Sequence, residues 1–243
     1  MIPIRDDIPS RRYPIVTVVL IVINVLAFFY ELSLGPEELQ QFFYAYAVVP
    51  VRYFAEGQFD VWGGFHRYEA SDLILPIFTA MFLHGGWLHL GGNMLYLWIF
   101  GDNVEDRMGH FRFLIFYLLC GVLATAAHVV TNADSHVPSL GASGAISGVL
   151  GAYFMLYPGA RVVTLLPIWI FLQLIEIPAF FFLAFWFVQQ FFYGALSLGV
   201  ESAQTGGVAW WAHIGGFVSG AALVHVFKRR DYFNYFRPRR LSW

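Results

Sequence analysis

The sequence predicts an all-α membrane protein in which six helices cross the bilayer. Of the 243 residues, 58% are hydrophobic and only 12% are charged, whereas about a quarter of a soluble domain is charged. The apolar residues gather in runs, and a bilayer core about 30 Å thick needs roughly 20 apolar residues per helix. Positive charges collect between alternate runs. Composition, run length and charge placement therefore exclude an ordinary soluble domain.

The apolar runs define the predicted spans in order. They cover about 14–33, 85–101, 113–131, 143–157, 178–198 and 208–227. The first run is too long for a typical signal-peptide core and no A-x-A site follows it, so we interpret it as an uncleaved anchor. Residues 163–177 are also apolar but short and interrupted by Pro167. We expect them to form an interfacial or re-entrant segment.

The distribution of positive charge predicts the orientation. With six spans, all of the 14 Lys and Arg residues except Arg52 and Arg67 fall on one side. Because cytoplasmic loops are enriched in Lys and Arg, both termini are predicted to be cytoplasmic. A seventh span at 163–177 would move Lys228 and its neighbours to the other side, so we reject it. The lack of a targeting presequence favours a prokaryotic plasma membrane.

The remaining segments are predicted to be connections within one membrane domain, residues 1–243. Residues 1–13 form a short cytoplasmic N-terminus and 228–243 a cytoplasmic tail. Residues 34–78 form an external loop that is too long for a bare connector, so we expect it to pack on or in the outer leaflet. The single cysteine, Cys120, can form no internal disulfide, and the net charge of −2 gives no indication of a nucleic-acid partner.

Three polar clusters interrupt the apolar runs. They are HGGWLHLGGNM (84–94), GASGAISG (141–148) and AHIGG (212–216). Ser143 and His213 each lie about 15 residues before the cytoplasmic end of a predicted span, or roughly 22 Å along a helix, and His89 lies at a similar height. Polar groups are costly inside a membrane and mark functional sites. We therefore predict one site to which three helices contribute.

Ser143 and His213 have complementary roles at such a site. A serine hydroxyl becomes a useful nucleophile when an adjacent base takes its proton, and a neutral imidazole is suited to that task. Ser143 is predicted at a helix N-terminus, where free N–H groups favour a developing oxyanion. No carboxylate lies at this depth to orient His213, so we predict a Ser–His dyad. Ser147 is a rival nucleophile one turn deeper.

His89 and Asn93 are predicted to stabilise the transition state. Their spacing of four residues puts them on one helix face, from which both can donate to the same oxyanion. His84 either precedes this helix or faces elsewhere, so it receives only a supporting role. Small residues permit close helix approach, and six glycines are predicted to support the packing. They are Gly141, Gly144, Gly148, Gly215, Gly216 and Gly220.

These motifs resemble those of the rhomboid family of intramembrane serine proteases. The chain matches H-x4-H-x3-N, G-x-S-G and A-H-x-G-G in order over about 75–228. The resemblance implies a rhomboid-like six-helix bundle that cleaves transmembrane protein substrates near their outer ends, with no metal or diffusible cofactor. Ser147 stands where many members have an aromatic residue that stacks on the base, and the external loop lacks the Trp-Arg pair of some members.

Three alternatives remain open from the sequence. An inactive relative would bind membrane clients, although such relatives usually lack the serine or the histidine. A haem or metal protein would use His84, His89 and His213 as ligands. A channel or transporter usually shows an internal repeat, which we do not find. The aromatic fifth span fills the core and faces lipid, and a sharper hypothesis makes it a gate at which smaller side chains at Phe182 or Trp186 would change proteolysis.

Overall fold

The computed structural model describes residues 1–59, 65–168, 171–197 and 208–229, and this part of the chain is mostly helical. Its α-helices are α1 (Ile15–Ser33), α2 (Pro36–Tyr46), α3 (Ala70–Thr79), α4 (Trp87–Met108), α5 (His110–Thr131), α6 (Ser143–Leu156), α7 (Ala179–Ser197) and α8 (Trp210–Phe227). Its strands are β1 (Ile2–Asp6), β2 (Gly57–Phe59), β3 (Phe65–Arg67), β4 (Arg161–Ile168) and β5 (Phe171–Pro178). Most of the predicted C-terminal tail lies outside the described residues.

The long helices agree with the predicted membrane spans. By length and hydropathy, α1, α5, α7 and α8 can each cross a bilayer. The segment Ala70–Phe82 and α4 form a further candidate that is bent by 79°, and α6 is a shorter apolar helix. This arrangement is consistent with the six predicted spans, and it makes the chain a multi-pass integral membrane protein.

Helix α6 forms the centre of the bundle. Every residue from Gly144 to Tyr153 is buried, and α4, α5 and α8 pack around it. A helix that is apolar on all sides belongs in a protein core rather than at a surface. Because neighbouring helices surround it, this 14-residue helix begins well inside the bundle. Its first residue therefore lies in protein and not in lipid.

A three-stranded sheet closes one end of the bundle, called the sheet end below. Strand β4 lies between β1 and β5 and pairs antiparallel with both. Residues 163–168 and 171–177 thus lie in the paired strands β4 and β5 and do not cross as a seventh helix. Pro167 lies opposite Leu172, beyond the Val162–Leu165 stretch that pairs with β1, so its missing N–H breaks no bond to that strand. The sequence did not predict these strands.

Two carboxylates, one buried and one partly buried, join the N-terminal region to the bundle at the sheet end. Glu105 accepts hydrogen bonds from the backbone N–H groups of Val16 (2.9 Å) and Thr17 (2.8 Å). It thereby caps α1, whose own preceding residue provides no side-chain cap. Asp6 accepts from the Tyr153 hydroxyl at 2.5 Å. The two contacts hold α1 and β1 against α4 and α6.

The predicted external loop contains regular structure. It includes α2, α3 and the short antiparallel strand pair β2–β3. Helix α3 leaves Ile74, Leu75 and Phe78 exposed by 57, 47 and 42%. Exposed apolar side chains of this size suit contact with lipid. They agree with a placement of this loop on or in a leaflet, which stays a prediction.

Candidate active site

Ser143 is the first residue of α6, as predicted. Helix α6 begins after Ala142, and no side chain caps its N-terminus. The first N–H groups of a helix have no partner within the helix. Together with the helix dipole, they make this end of α6 favourable for negative charge. The Ser143 hydroxyl therefore lies beside a group of backbone donors.

His213 of α8 reaches Ser143 directly. Its Nε2 atom lies 2.8 Å from the Ser143 hydroxyl oxygen, which is hydrogen-bond distance. The imidazole is 9% exposed. The structure thus brings together two residues that are 70 positions apart in the chain and that the sequence assigned to one depth.

Glycines explain how α6 and α8 approach so closely. A Cβ atom added at Gly216 would overlap the carbonyl oxygen of Gly144, and one added at Gly220 would overlap that of Gly148. Gly151, which the sequence analysis did not select, meets the backbone of α8 in the same way. The backbones of the two helices are therefore in contact over about two turns, and there is no room for a side chain at these glycines.

The other predicted glycines also lie at close contacts. Gly215 faces Ala127 of α5. Gly141 has a φ of +128°, which an L side chain rarely adopts, and a Cβ atom there would lie 2.7 Å from Nε2 of His89 and 3.7 Å from the Ser143 hydroxyl oxygen. His89 and Ser143 are therefore on the same side of Gly141. The glycine leaves space that both side chains use.

Asn93 lies one turn after His89 on α4. The Asn93 side-chain nitrogen is 2.9 Å from Nε2 of His84, and both residues are buried. His84 precedes α4, which was one of the two positions predicted for it. Its backbone N–H donates to the carboxylate of Glu31 on α1. Glu31 was missed, although an acid at the end of an apolar span is a signal for a buried contact.

A second missed residue contacts the histidine. The Oε1 atom of Gln190 on α7 lies 2.8 Å from Nδ1 of His213, and Gln190 is 5% exposed. The Trp186 ring, one turn earlier on α7, lies 5.9 Å from the imidazole at an interplanar angle of 34°. Ser147 makes no such contact; its hydroxyl donates to the Ser143 carbonyl at 2.6 Å. The imidazole is therefore held from α7.

A small cavity lies behind the nucleophile. Its volume is about 30 Å³, and it is lined by residues of α5, α6, α8 and the connection before α6, including Thr125, His128, Gly141 and Ser143. A cavity needs roughly 10–15 Å³ and polar neighbours to hold one water molecule. Among the described residues, no group of three His, Cys, Asp or Glu side chains is arranged to hold a metal ion.

Comparison with known proteins identifies similar sequences. A family model described as Rhomboid domain matches residues 72–230, more than half of the chain, and this range contains all three polar clusters. The chain is 46% identical over 76 residues to Rhomboid protease GluP of Bacillus subtilis (strain 168), covering 31% of this chain and 14% of that protein.

Two eukaryotic proteins are also similar. The chain is 32% identical over 183 residues to RHOMBOID-like protein 1 of Arabidopsis thaliana, covering 75% of this chain and 41% of that protein. It is 34% identical over 113 residues to the mitochondrial Presenilin-associated rhomboid-like protein of Bos taurus, covering 43% and 30%. The chain spans less than a third of the length of the mitochondrial relatives it matches.

Proposed function

The chain belongs to the rhomboid family, and on that basis we propose that it is an intramembrane serine endopeptidase. It hydrolyses peptide bonds in or near the transmembrane segments of other membrane proteins. The observation that carries this proposal is the 2.8 Å contact between the Ser143 hydroxyl and Nε2 of His213. A nucleophile and a base within hydrogen-bond reach are the minimum that covalent catalysis by serine requires.

The two residues divide the chemistry between them. Nε2 of His213 takes the hydroxyl proton as the Ser143 oxygen attacks the substrate carbonyl, and it then gives that proton to the leaving amine. Water hydrolyses the resulting acyl-enzyme with His213 again acting as base. The cavity behind Ser143 is large enough to supply a water molecule from within the bundle.

His89, Asn93 and the N-terminus of α6 stabilise the oxyanion. Nδ1 of His89 accepts a hydrogen bond from the Gly85 backbone N–H at 3.3 Å, so its proton resides on Nε2, the atom that lies beside Gly141. The Asn93 amide has two hydrogens, and His84 accepts only one of them. His84 therefore acts by holding Asn93, while Asn93 and His89 donate to the substrate oxygen.

The proposal also includes the domain organisation, membrane orientation and partners expected from the sequence. The whole chain acts as one rhomboid-like membrane domain, with both termini and the sheet end in the cytoplasm of a prokaryotic cell and the site towards the outer leaflet. Its partners are transmembrane protein substrates and membrane lipid. No metal, cofactor or nucleic acid takes part. A protein that only binds clients would not need Ser143 and His213 in contact.

Reconstitution with a generic transmembrane substrate tests this function. The intact chain in liposomes should release a cleaved product and react covalently with a fluorophosphonate, whereas Ser143→Ala should do neither. Ser147→Ala is the matched control and should retain both activities. Equal cleavage by the intact chain and Ser143→Ala, or failure of the intact chain to cleave or label, would reject the proposal.

A further inference from the structure

We propose that Gln190 is a positioning residue for His213, so that α7 contributes a third member to the hydrogen-bonded chain Ser143–His213–Gln190. This inference rests on the proposed function and names a residue that the dyad does not include. Two contacts of similar length define this row of hydrogen bonds. Nε2 of His213 is 2.8 Å from the Ser143 hydroxyl, and Nδ1 is 2.8 Å from Oε1 of Gln190.

The chemistry of the amide sets the tautomer of the imidazole. Oε1 of Gln190 is a carbonyl oxygen and can only accept, so Nδ1 of His213 must carry the proton and donate it. Nε2 is then unprotonated and accepts the hydrogen bond from the Ser143 hydroxyl. The opposite tautomer would lose the hydrogen bond to Gln190, and its protonated Nε2 could only donate to the Ser143 oxygen and could not take the serine proton. Gln190 therefore favours the one neutral form of His213 that can serve as a base.

The environment of Gln190 supports a specific role. The other buried residues of α7 are Ala179, Phe182, Leu183 and Gly194, so Gln190 is the polar member of an otherwise apolar inner face. A buried amide without a partner costs several kcal/mol in an apolar medium. The hydrogen bond to His213 offsets that cost. The neighbouring Gln189 points outward and is exposed.

The position of the amide also replaces two features found at other serine protease sites. Among the described residues, no carboxylate is hydrogen-bonded to the imidazole, and Ser147 occupies the position from which an aromatic residue would stack on it. A neutral amide orients the ring without placing a second charge in a low-dielectric interior. Trp186 packs against the same ring from one turn away. Both groups belong to α7, so displacement of this helix would withdraw them together.

Replacement of Gln190 by residues of similar size tests the role. Gln190→Met keeps the volume but removes the acceptor, and Gln189→Met is the matched control on the exposed face of the same helix. For Gln190→Met we expect kcat and the rate of fluorophosphonate labelling to fall roughly 10- to 100-fold, part of the 10²–10⁴ that a positioned base contributes. KM should change little, because Gln190 does not contact substrate.

Gln190→Glu provides a readout that a purely structural role would not affect. A carboxylate accepts the same hydrogen bond, so labelling should recover to within a few-fold of the intact chain. Its charge favours the protonated imidazole, so the acid limb of the pH–rate profile should move up by about one pH unit or more. His89 of α4 and His128 of α5 are other titratable groups near His213, and both are unchanged in this variant.

The outcomes separate the two proposals. If Ser143→Ala abolishes labelling but Gln190→Met labels as fast as Gln189→Met, the positioning role is wrong and the protease assignment stands. If Gln190→Met does not fold in detergent, Gln190→Glu decides, and an acid limb that superimposes on that of the intact chain would overturn the inference. If the intact chain and Ser143→Ala cleaved and labelled equally, the proposed function itself would be rejected.

Discussion

The two sides of α8 contact their neighbours in different ways. Towards α6, Gly216 and Gly220 lie against the carbonyl groups of Gly144 and Gly148, and the backbones touch. Towards α7, the contacts are made by side chains, among them Phe187 with ring centroids 4.8 Å from Phe217 and Gln190 with His213. The closest contacts of the first interface are between backbones, which have little freedom to adjust, whereas the second interface depends on rotatable side chains.

This difference separates two requirements of a serine–histidine pair. The distance between Ser143 and His213 depends on the α6–α8 interface. Each of the two residues is followed in its helix by glycines that bring the backbones of α6 and α8 together. The orientation and tautomer of His213 depend on the α7 side, through Gln190 and Trp186. Helix α7 also exposes large apolar side chains, such as Phe181 by 64% and Val188 by 62%. It is therefore the more weakly enclosed partner of the base.

The largest expected effect comes from adding one methyl group to the glycine interface. In Gly220→Ala, the Cβ atom would overlap the Gly148 backbone, which cannot move as a flexible side chain can. We expect the free energy of unfolding to fall by about 3 kcal/mol, with loss of fluorophosphonate labelling as Ser143 and His213 separate. Thermal unfolding in detergent and the labelling rate measure the two effects.

Gly91→Ala is the matched control for that substitution. Gly91 also lies in a helix, α4, and a Cβ atom there would meet nothing within 4 Å. Alanine is favoured over glycine in helices by about 1 kcal/mol, so this variant should be as stable as the intact chain or slightly more so. Similar losses in Gly220→Ala and Gly91→Ala would show that backbone contact does not control the distance between the two residues.

An intermediate effect on the labelling rate is expected from changes to the aromatic residues of α7 beside His213. Trp186→Leu removes the ring that packs against His213, and Phe185→Leu changes the adjacent side chain, which is 56% exposed. A packed aromatic pair contributes about 0.5–1.5 kcal/mol beyond its buried area, so labelling by fluorophosphonate should slow roughly two- to tenfold in Trp186→Leu. Phe185→Leu should label normally.

Labelling also separates this role from the gate hypothesis for α7. The fluorophosphonate is small and does not need a transmembrane segment to enter sideways. A change in cleavage of a transmembrane substrate with unchanged labelling would assign Trp186 to substrate entry. Slower labelling assigns it to the base. Unchanged rates in both assays would contradict both roles.

The sequence predicted the α6–α8 interface better than the α7 interface. Ser143, His213 and the glycines have recognisable spacing, and helix geometry converts that spacing into depth. Gln189 and Gln190 are adjacent and identical in type, so only the rotation of α7 against α8 decides which of them faces His213. Glu31 was missed for a similar reason, since its partner is the backbone of His84 in a connection. Tertiary packing determines such contacts.

The strand pair β4–β5 at the sheet end shows a further limit of sequence patterns. An amphipathic strand alternates apolar and polar residues, but β4 and β5 carry apolar residues on both faces with only a few polar ones among them, such as Thr164 and Gln173. Pro167 then argued against a regular element. It is accommodated because β1 pairs with only the first part of β4. The proline position was informative only once the partner strands were known.

The smallest expected effect is that of Ser147→Ala, and it tests which side of α8 holds the base. Ser147 lies on the α6 side, and its Cβ is 3.1 Å from the position of a Cβ at Gly216. Its hydroxyl bond to the Ser143 carbonyl contributes about 0.5–1.5 kcal/mol and does not involve His213. The labelling rate should therefore stay within about threefold of that of the intact chain. This is a smaller change than we expect for Trp186→Leu, because the lost hydrogen bond lies away from the imidazole and affects folding more than catalysis. If Ser147→Ala instead slowed labelling as much as Gln190→Met, α6 would control both the distance and the orientation of the base, and the distinction between the two interfaces would fail.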